Sequence, residues 1–284
     1  MGATVVEAIL LGTAQDAGVP QAGCDCSNCS RARRDPAQRR FTACLGLVDR
    51  EAGQSWLVDA TPDFREQQHI LHQFAADCAL AGILLTHAHI GHYPGLLHIG
   101  HEAMNAHRLP VYASERMAEF LRGNAPWSQL VEYENIELRS LTSGVESVLS
   151  PNLSVVPVSV PHRQEFSDTF AFVARGAQRR LFYCPDIDDW ELWEHDLQDF
   201  AIGMDVVFVD ATFYNANELP QRDMDRIGHP LVMDTAERLM GLDCQVRLVH
   251  LNHTSPLFTP GPERELLREY GIEVGRRGEH WVLG

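Results

Sequence analysis

The sequence predicts an α/β chain folded as an αββα-type sandwich, with two mixed β-sheets covered by helices. Two observations lead to this. Short apolar runs, mostly β-branched, alternate with amphipathic helical patterns. Strand runs also follow one another directly, at 44–59 and 153–184, which uniform βαβ winding would not produce.

In chain order the strand candidates are Thr4–Leu11, Cys44–Val48, Ser55–Asp59, Gly82–Thr86, Pro110–Ala113, Leu153–Val160, Thr169–Ala174, Arg180–Cys184, Asp205–Asp210 and Val246–His250. Helical patterns lie between them. Thr61-Pro62-Asp63-Phe64 opens one that runs to Phe74, with Thr61 placed to cap it and Pro62 at the first helical position. Others are Gly95–Ala106, Glu115–Leu121, Asp189–Phe200, Pro230–Met240 and Pro262–Tyr270, the last stopped by Gly271. The segment Gly123–Gly144 carries the weakest pattern. No internal repeat or low-complexity linker divides the chain. Its 284 residues, 45% hydrophobic and 22% charged, suit one domain over 1–284 with surface insertions.

No apolar run approaches the roughly 18 residues needed to span a bilayer. Met1–Gly12 has no Lys or Arg, and Glu7 interrupts its apolar stretch, unlike a secretory signal. A soluble, cytoplasmic protein is the expectation, and a homodimer is compatible with it. The net charge of −16 would repel a phosphate backbone, which argues against general nucleic-acid binding. The densest basic stretch, Arg31, Arg33, Arg34, Arg39 and Arg40, reads as solvated surface.

The 7 cysteines are an odd number, which argues for reduced thiols over a disulfide framework. Cys24-Asp25-Cys26-Ser27-Asn28-Cys29 places three of them in one polar loop, unlike a buried core. Thiolates select zinc, and closed four-coordinate sites are structural, so this loop needs a fourth ligand.

The strand Ile83-Leu84-Leu85 runs into Thr86-His87-Ala88-His89-Ile90-Gly91-His92. His87 and His89 project to one side of an extended chain, and His92 follows on the next turn. Neutral imidazole is the commonest ligand for divalent transition metals. Three solvated loop histidines are the weaker alternative, because the cluster follows a buried strand.

This segment resembles the HxHxDH signature of the metallo-β-lactamase superfamily, with Gly91 at the Asp position. The resemblance implies an αββα sandwich and further site positions. Asp59 matches the Asp that orients the metal loop, His162 the third-motif histidine, Asp186 the bridging Asp and His250 the final histidine. It implies a first metal position at His87, His89 and His162, and a second at His92 and His250, with Asp186 between them. Gly91 removes one carboxylate from the second, so that position is expected to bind weakly or to borrow another ligand. One or two ions of zinc, manganese or iron would fit.

Leu11-Gly12-Thr13, Gly18-Val19-Pro20 and the cysteine loop resemble two branches of this superfamily. One is the cyclic phosphodiesterase of phosphonate breakdown. The other is the pyrroloquinoline quinone biosynthesis protein B family. The phosphodiesterase implies His253, in His250-Leu251-Asn252-His253, as the fourth zinc ligand beside Cys24, Cys26 and Cys29. It also implies His229 as the acid that protonates a leaving group, with Asp186 as its catalytic partner at the metals. Val58-Asp59-Ala60-Thr61-Pro62-Asp63 and the stretches around Asn252–Pro256 and Gly271–Val274 look more like the quinone-biosynthesis family.

The expectation is therefore a metal-dependent hydrolase using a metal-bound hydroxide on a small phosphodiester or related ester. The alternatives are an iron-dependent oxygenase of the quinone-biosynthesis type and a non-catalytic small-molecule-binding protein with a decayed site. His69, His72, His98, His101, His107, His195 and His280 read as solvated, and Trp190 and Trp193 as packing residues.

Overall fold

The computed structural model describes residues 6–218 and 228–284. Thr4 and Val5 of the first strand candidate, and Ile227 before His229, lie outside the described residues. The strands are β1 (Val6–Gly12), β2 (Cys44–Asp49), β3 (Gln54–Val58), β4 (Ala79–Leu84), β5 (Leu109–Ala113), β6 (Ile136–Ser140) and β7 (Ser147–Ser150). They continue with β8 (Leu153–Ser159), β9 (Phe170–Arg175), β10 (Arg180–Cys184), β11 (Val206–Asp210), β12 (Gln245–Val249), β13 (Ile272–Val274) and β14 (His280–Val282). The helices are α1 (Ser27–Arg34), α2 (Phe64–Phe74), α3 (Glu115–Gly123), α4 (Trp127–Glu132), α5 (Leu197–Ala201), α6 (Val232–Leu239) and α7 (Pro262–Glu269).

Among the described residues the strands form two seven-stranded sheets, ordered β14-β1-β2-β3-β4-β5-β6 and β13-β12-β11-β10-β9-β8-β7. Both are mixed, as the strand order in the sequence predicts. Each sheet is buried on both faces. Ala8, Leu10, Trp56 and Val58 of the first meet Phe172, Leu181, Tyr183 and Phe208 of the second in the middle layer. Ile9, Leu11 and Leu57 turn the other way, under α2 and α3. Phe182, Val207 and Leu248 face outward beneath α5, α6 and α7. Burial on both faces explains why these strands read as unbroken apolar runs and not as alternating ones.

The four strands that sequence patterning does not identify, β6, β7, β13 and β14, are the four sheet edges. An edge strand pairs on one side only and tends to be short and polar. Glu137, Arg139, Glu273 and His280 give these strands that character. Gly123–Gly144, where the sequence pattern is weakest, holds α4 and β6.

Two helix expectations are corrected. Gly95–Ala106 forms only a 3-10 turn over Pro94–Ile99, because Gly95 lies against the Thr61 carbonyl and Phe64, and Gly100 ends the turn. Asp189–Phe200 breaks into a 3-10 turn at Trp190–Leu192 and α5. Asp189 and Asp196 each accept a backbone N–H and start a new turn. The helix after Thr61 begins at Phe64. Thr61 does not cap it directly; its hydroxyl accepts the Asp63 N–H and donates to Gln67. Ser114 caps α3, and Gly271 takes a positive φ of 78° just past α7, as a glycine there should. Trp190 and Trp193 pack in the core.

Candidate metal centre

β1 and β3 both run antiparallel to β2, while β4 and β5 run parallel to β3. In the second sheet β8 and β10 both oppose β9, and β11 and β12 follow β10. The C-terminal ends of these strands therefore gather at one edge. Asp59 follows β3, the histidine cluster follows β4, His162 follows β8 and Asp186 follows β10. Asp210 ends β11 and His250 follows β12.

The structure brings His87, His89, His92, His162, Asp186 and His250 together there. His162 Nε2 faces His89 Nδ1 at 3.0 Å, and the His87 ring stands 4.4 Å from His89 and 4.2 Å from His92. Ligand atoms of His87, His89 and His162 could close on one ion, and so could those of His87, His92 and Asp186. Asp186 lies between the two sets, 3.6 Å from His162 Nε2, 3.1 Å from His92 Nε2 and 3.3 Å from His250 Nε2.

Each ring is held from behind. Asp59 accepts the Thr86 N–H at 2.8 Å and the His92 Nδ1–H at 2.7 Å, which turns His92 Nε2 toward Asp186. Asp188 holds His162 Nδ1 at 2.7 Å. The Thr212 hydroxyl donates to Asp210 at 2.7 Å and stands 2.9 Å from His250 Nδ1. Asp59 and His250 take left-handed φ angles of 73° and 61°, an arrangement non-glycine residues adopt at a cost of roughly 1–2 kcal/mol each.

The electrostatics follow from burial. Burial pushes the His87 imidazole well below its usual range, with the neighbouring rings acting in the same sense. Burial would raise Asp186, but His250 and His92 outweigh it and hold the carboxylate well below its usual range.

Gly91 leaves the histidine segment without a carboxylate, and of the two expectations for the second position the structure offers a candidate for a borrowed ligand. Asp16, on the loop after β1, reaches in, with Oδ1 3.3 Å from His92 Nε2 and 3.6 Å from His250 Nε2. Sequence reasoning misses this residue, because Thr13-Ala14-Gln15-Asp16 carries no ligand spacing. It also misses Asp188 and Asp210. Asp210 could have been found as a carboxylate that ends a buried strand.

Whether the site suits divalent ions can be tested on its polar atoms. Asp16 Oδ1, His87 Nε2, His92 Nε2, Asp186 Oδ2 and His250 Nε2 are all buried without a hydrogen-bond partner. Such an atom costs roughly 1–3 kcal/mol each unless something satisfies it. All five converge on one place and are lone-pair donors, so divalent ions fit them.

His229 lies beside this centre, its ring 5.4 Å from His162 and 5.7 Å from His250. Its Nδ1 meets Asp210 Oδ2 at 2.6 Å. Burial disfavours the imidazolium, but Asp210 outweighs it and holds His229 up at about 9. With Asp188, Trp190, Pro230 and Leu231, His229 lines a cleft of about 520 Å³.

Some distance along the same loop from His250, His253 Nδ1 lies 3.3 Å from Cys24 Sγ and 3.5 Å from Cys26 Sγ. Cys29 Sγ completes a set of four ligand atoms within 4.8 Å of one another. Asn28 ties the two segments by donating to the carbonyls of His253 and Ser255 at 3.0 and 2.9 Å. Burial pushes the Cys29 thiol up to about 12, and Cys26 and Cys24 add to this. Three thiolates cannot share this volume as anions without a cation, so the donor set fits zinc. Of the other histidines, His69, His72, His101, His107, His195 and His280 are exposed, while half-buried His98 stacks on Phe64.

Comparison with known proteins agrees with this architecture. A family model described as the beta-lactamase superfamily domain matches residues 55–257. Coenzyme PQQ synthesis protein B of Rhizobium meliloti is 26% identical, over 95% of this chain and 95% of its own. The protein of the same name from Cupriavidus taiwanensis is 28% identical, over 96% of this chain and 98% of its own. Among solved structures, Zn(2+)-bound PqqB from Methylobacterium extorquens superposes with a TM-score of 0.81 at 21% identity, covering 97% of this chain and 99% of that one. A diphosphatase from the PhnP family superposes with a TM-score of 0.68 at 20% identity, covering 98% and 97%. The matched family spans well over half of the sequence, and this chain belongs to the beta-lactamase superfamily.

Proposed function

We propose that the protein is a metal-dependent hydrolase that cleaves a small phosphodiester or related ester. The observation that supports this best is the Asp186 carboxylate, shared between His162 on one side and His92 and His250 on the other. Divalent ions held by these residues with His87 and His89 would supply Lewis acidity and a nucleophilic water near neutral pH. The chain's own residues do the rest. Asp59, Asp188 and Thr212 fix the rings of His92, His162 and His250, so the ligand set needs little reorganisation. His229, backed by Asp210 and lining the cleft, is placed to give a proton to the departing oxygen. Asp186 and His229 are then the catalytic pair.

Cys24, Cys26, Cys29 and His253 are assigned to a structural zinc. Three thiolates and one imidazole make a four-ligand set that would tie α1 to the loop after β12.

A second reading is supported by the relatives, whose names place them in coenzyme PQQ synthesis. Histidine and carboxylate ligands with open positions also suit iron-dependent oxygen chemistry. The two readings part on oxygen. A hydrolase turns over phosphodiesters under argon, and an iron oxygenase consumes dioxygen with its substrate.

His89→Ala and Asp186→Ala should each reduce phosphodiester hydrolysis to background while circular dichroism stays that of the parent. Retained turnover in both removes the hydrolase reading.

His229→Ala should slow substrates with an alkyl leaving group by roughly 10²–10⁴-fold. It should slow p-nitrophenyl esters far less, because that leaving group needs no acid. An equal loss on both substrates would show that His229 does not protonate the leaving oxygen.

Cys26→Ser should release the structural zinc and lower the melting midpoint by roughly 5–10 °C, since metal binding energy here is also folding energy. A variant that melts with the parent and keeps its zinc content would refute the assignment.

A further inference from the structure

The segment His87-Ala88-His89-Ile90-Gly91-His92 has no carboxylate, yet the loop after β1 brings one to the same place. A Cβ built on Gly91 would lie 2.2 Å from Asp16 Oδ1, 2.6 Å from its Cα and 2.8 Å from its Cγ. Asp16 therefore fills the volume that a side chain at position 91 would need. The backbone does not demand glycine there, since Gly91 is not among the positive-φ residues. What requires glycine is the close approach of Asp16, by its side chain and by its Cα.

The loop that carries Asp16 is pinned on both sides. Gln15 N–H donates to the Leu251 carbonyl, and Leu251 N–H donates to the Thr13 carbonyl, both at 2.9 Å. Thr42 Oγ1 donates to the Asp16 carbonyl at 3.2 Å. Because residue 251 is locked to this ladder, Asp16 is held beside His250, its sequence neighbour. Asp16 Oδ1, His92 Nε2 and His250 Nε2 can close on one ion, and each is buried without a hydrogen-bond partner.

We propose that Asp16 supplies the carboxylate of the second metal position, a ligand moved from the loop after β4 to the loop after β1. This rests on the metal-dependent reading above. The second position is then His92, His250 and Asp16 with shared Asp186, and it carries two negative charges where Asp186 alone would give one. Residue 16, in reaching this place with its backbone and its side chain, leaves no room for a Cβ at 91.

The test is manganese titration by calorimetry and electron paramagnetic resonance on protein that keeps zinc at its thiolates. Manganese suits carboxylate and imidazole and leaves the soft thiolate site alone. The parent should bind two Mn²⁺ and show an exchange-coupled pair signal. Asp16→Asn, nearly isosteric, should keep the first ion and bind the second at least about 10-fold more weakly, with a six-line isolated-ion signal. Gly91→Asp alone should lower the melting midpoint through its clash with Asp16. The double variant Asp16→Gly/Gly91→Asp should recover the midpoint only in part, because the Cα of residue 16 remains 2.6 Å from a Cβ at position 91. An Asp16→Asn variant that binds two ions with parent affinity would overturn the role of Asp16 and leave the hydrolase reading standing. A parent that binds no Mn²⁺ would overturn both.

Discussion

Buried polar atoms must be satisfied, and this fold gathers five that satisfy nothing within the chain. Asp16 Oδ1 and Asp186 Oδ2 face His92 Nε2 and His250 Nε2 across 3.1–3.6 Å, and with His87 Nε2 these atoms have no hydrogen-bond partner. The rest of the architecture serves this convergence. Apolar strands from both sheets end at one edge, and the middle layer of Trp56, Phe172, Tyr183 and Phe208 packs between the sheets that carry them. A cation at the edge would satisfy these atoms together.

The supports behind the rings are as specific as the rings. The Thr86 and Thr212 hydroxyls sit between a buried Asp and a histidine in each sheet, so the same device recurs on both sides of the site. Asp59 and His250 hold left-handed backbone at the strand ends, where the chain must turn sharply to aim its side chain inward. The Asn28 contacts to His253 and Ser255 carry the same loop onward to the cysteines. One stretch, residues 249–253, thus joins strand β12, the candidate metal centre and the thiolate cluster.

Much of this was legible in the sequence. The αββα architecture follows from short β-branched runs and their order, and His87, His89, His92, Asp59, Asp186 and His250 lie where strands end. Edge strands β6, β7, β13 and β14 escape because single-sided pairing leaves no long apolar run. Asp16 escapes for another reason. Its closeness to His250 comes from the ladder between Thr13, Gln15 and Leu251, and that pairing joins segments far apart in the chain. Asp188 and Asp210 act on rings from behind, and no local spacing marks such partners. Gly91 is visible as a departure in the sequence, but the approach of Asp16 to the same place exists only in three dimensions.

The central claim is that the buried imidazoles and carboxylates exist to hold divalent ions. Anomalous X-ray scattering at the metal absorption edges, on crystals grown without chelator, tests it most directly. The account predicts one peak enclosed by Cys24, Cys26, Cys29 and His253, and two more flanking Asp186, the second within reach of Asp16. Crystals with a filled thiolate site and no anomalous peak within reach of Asp186, even after soaking in manganese, would contradict it.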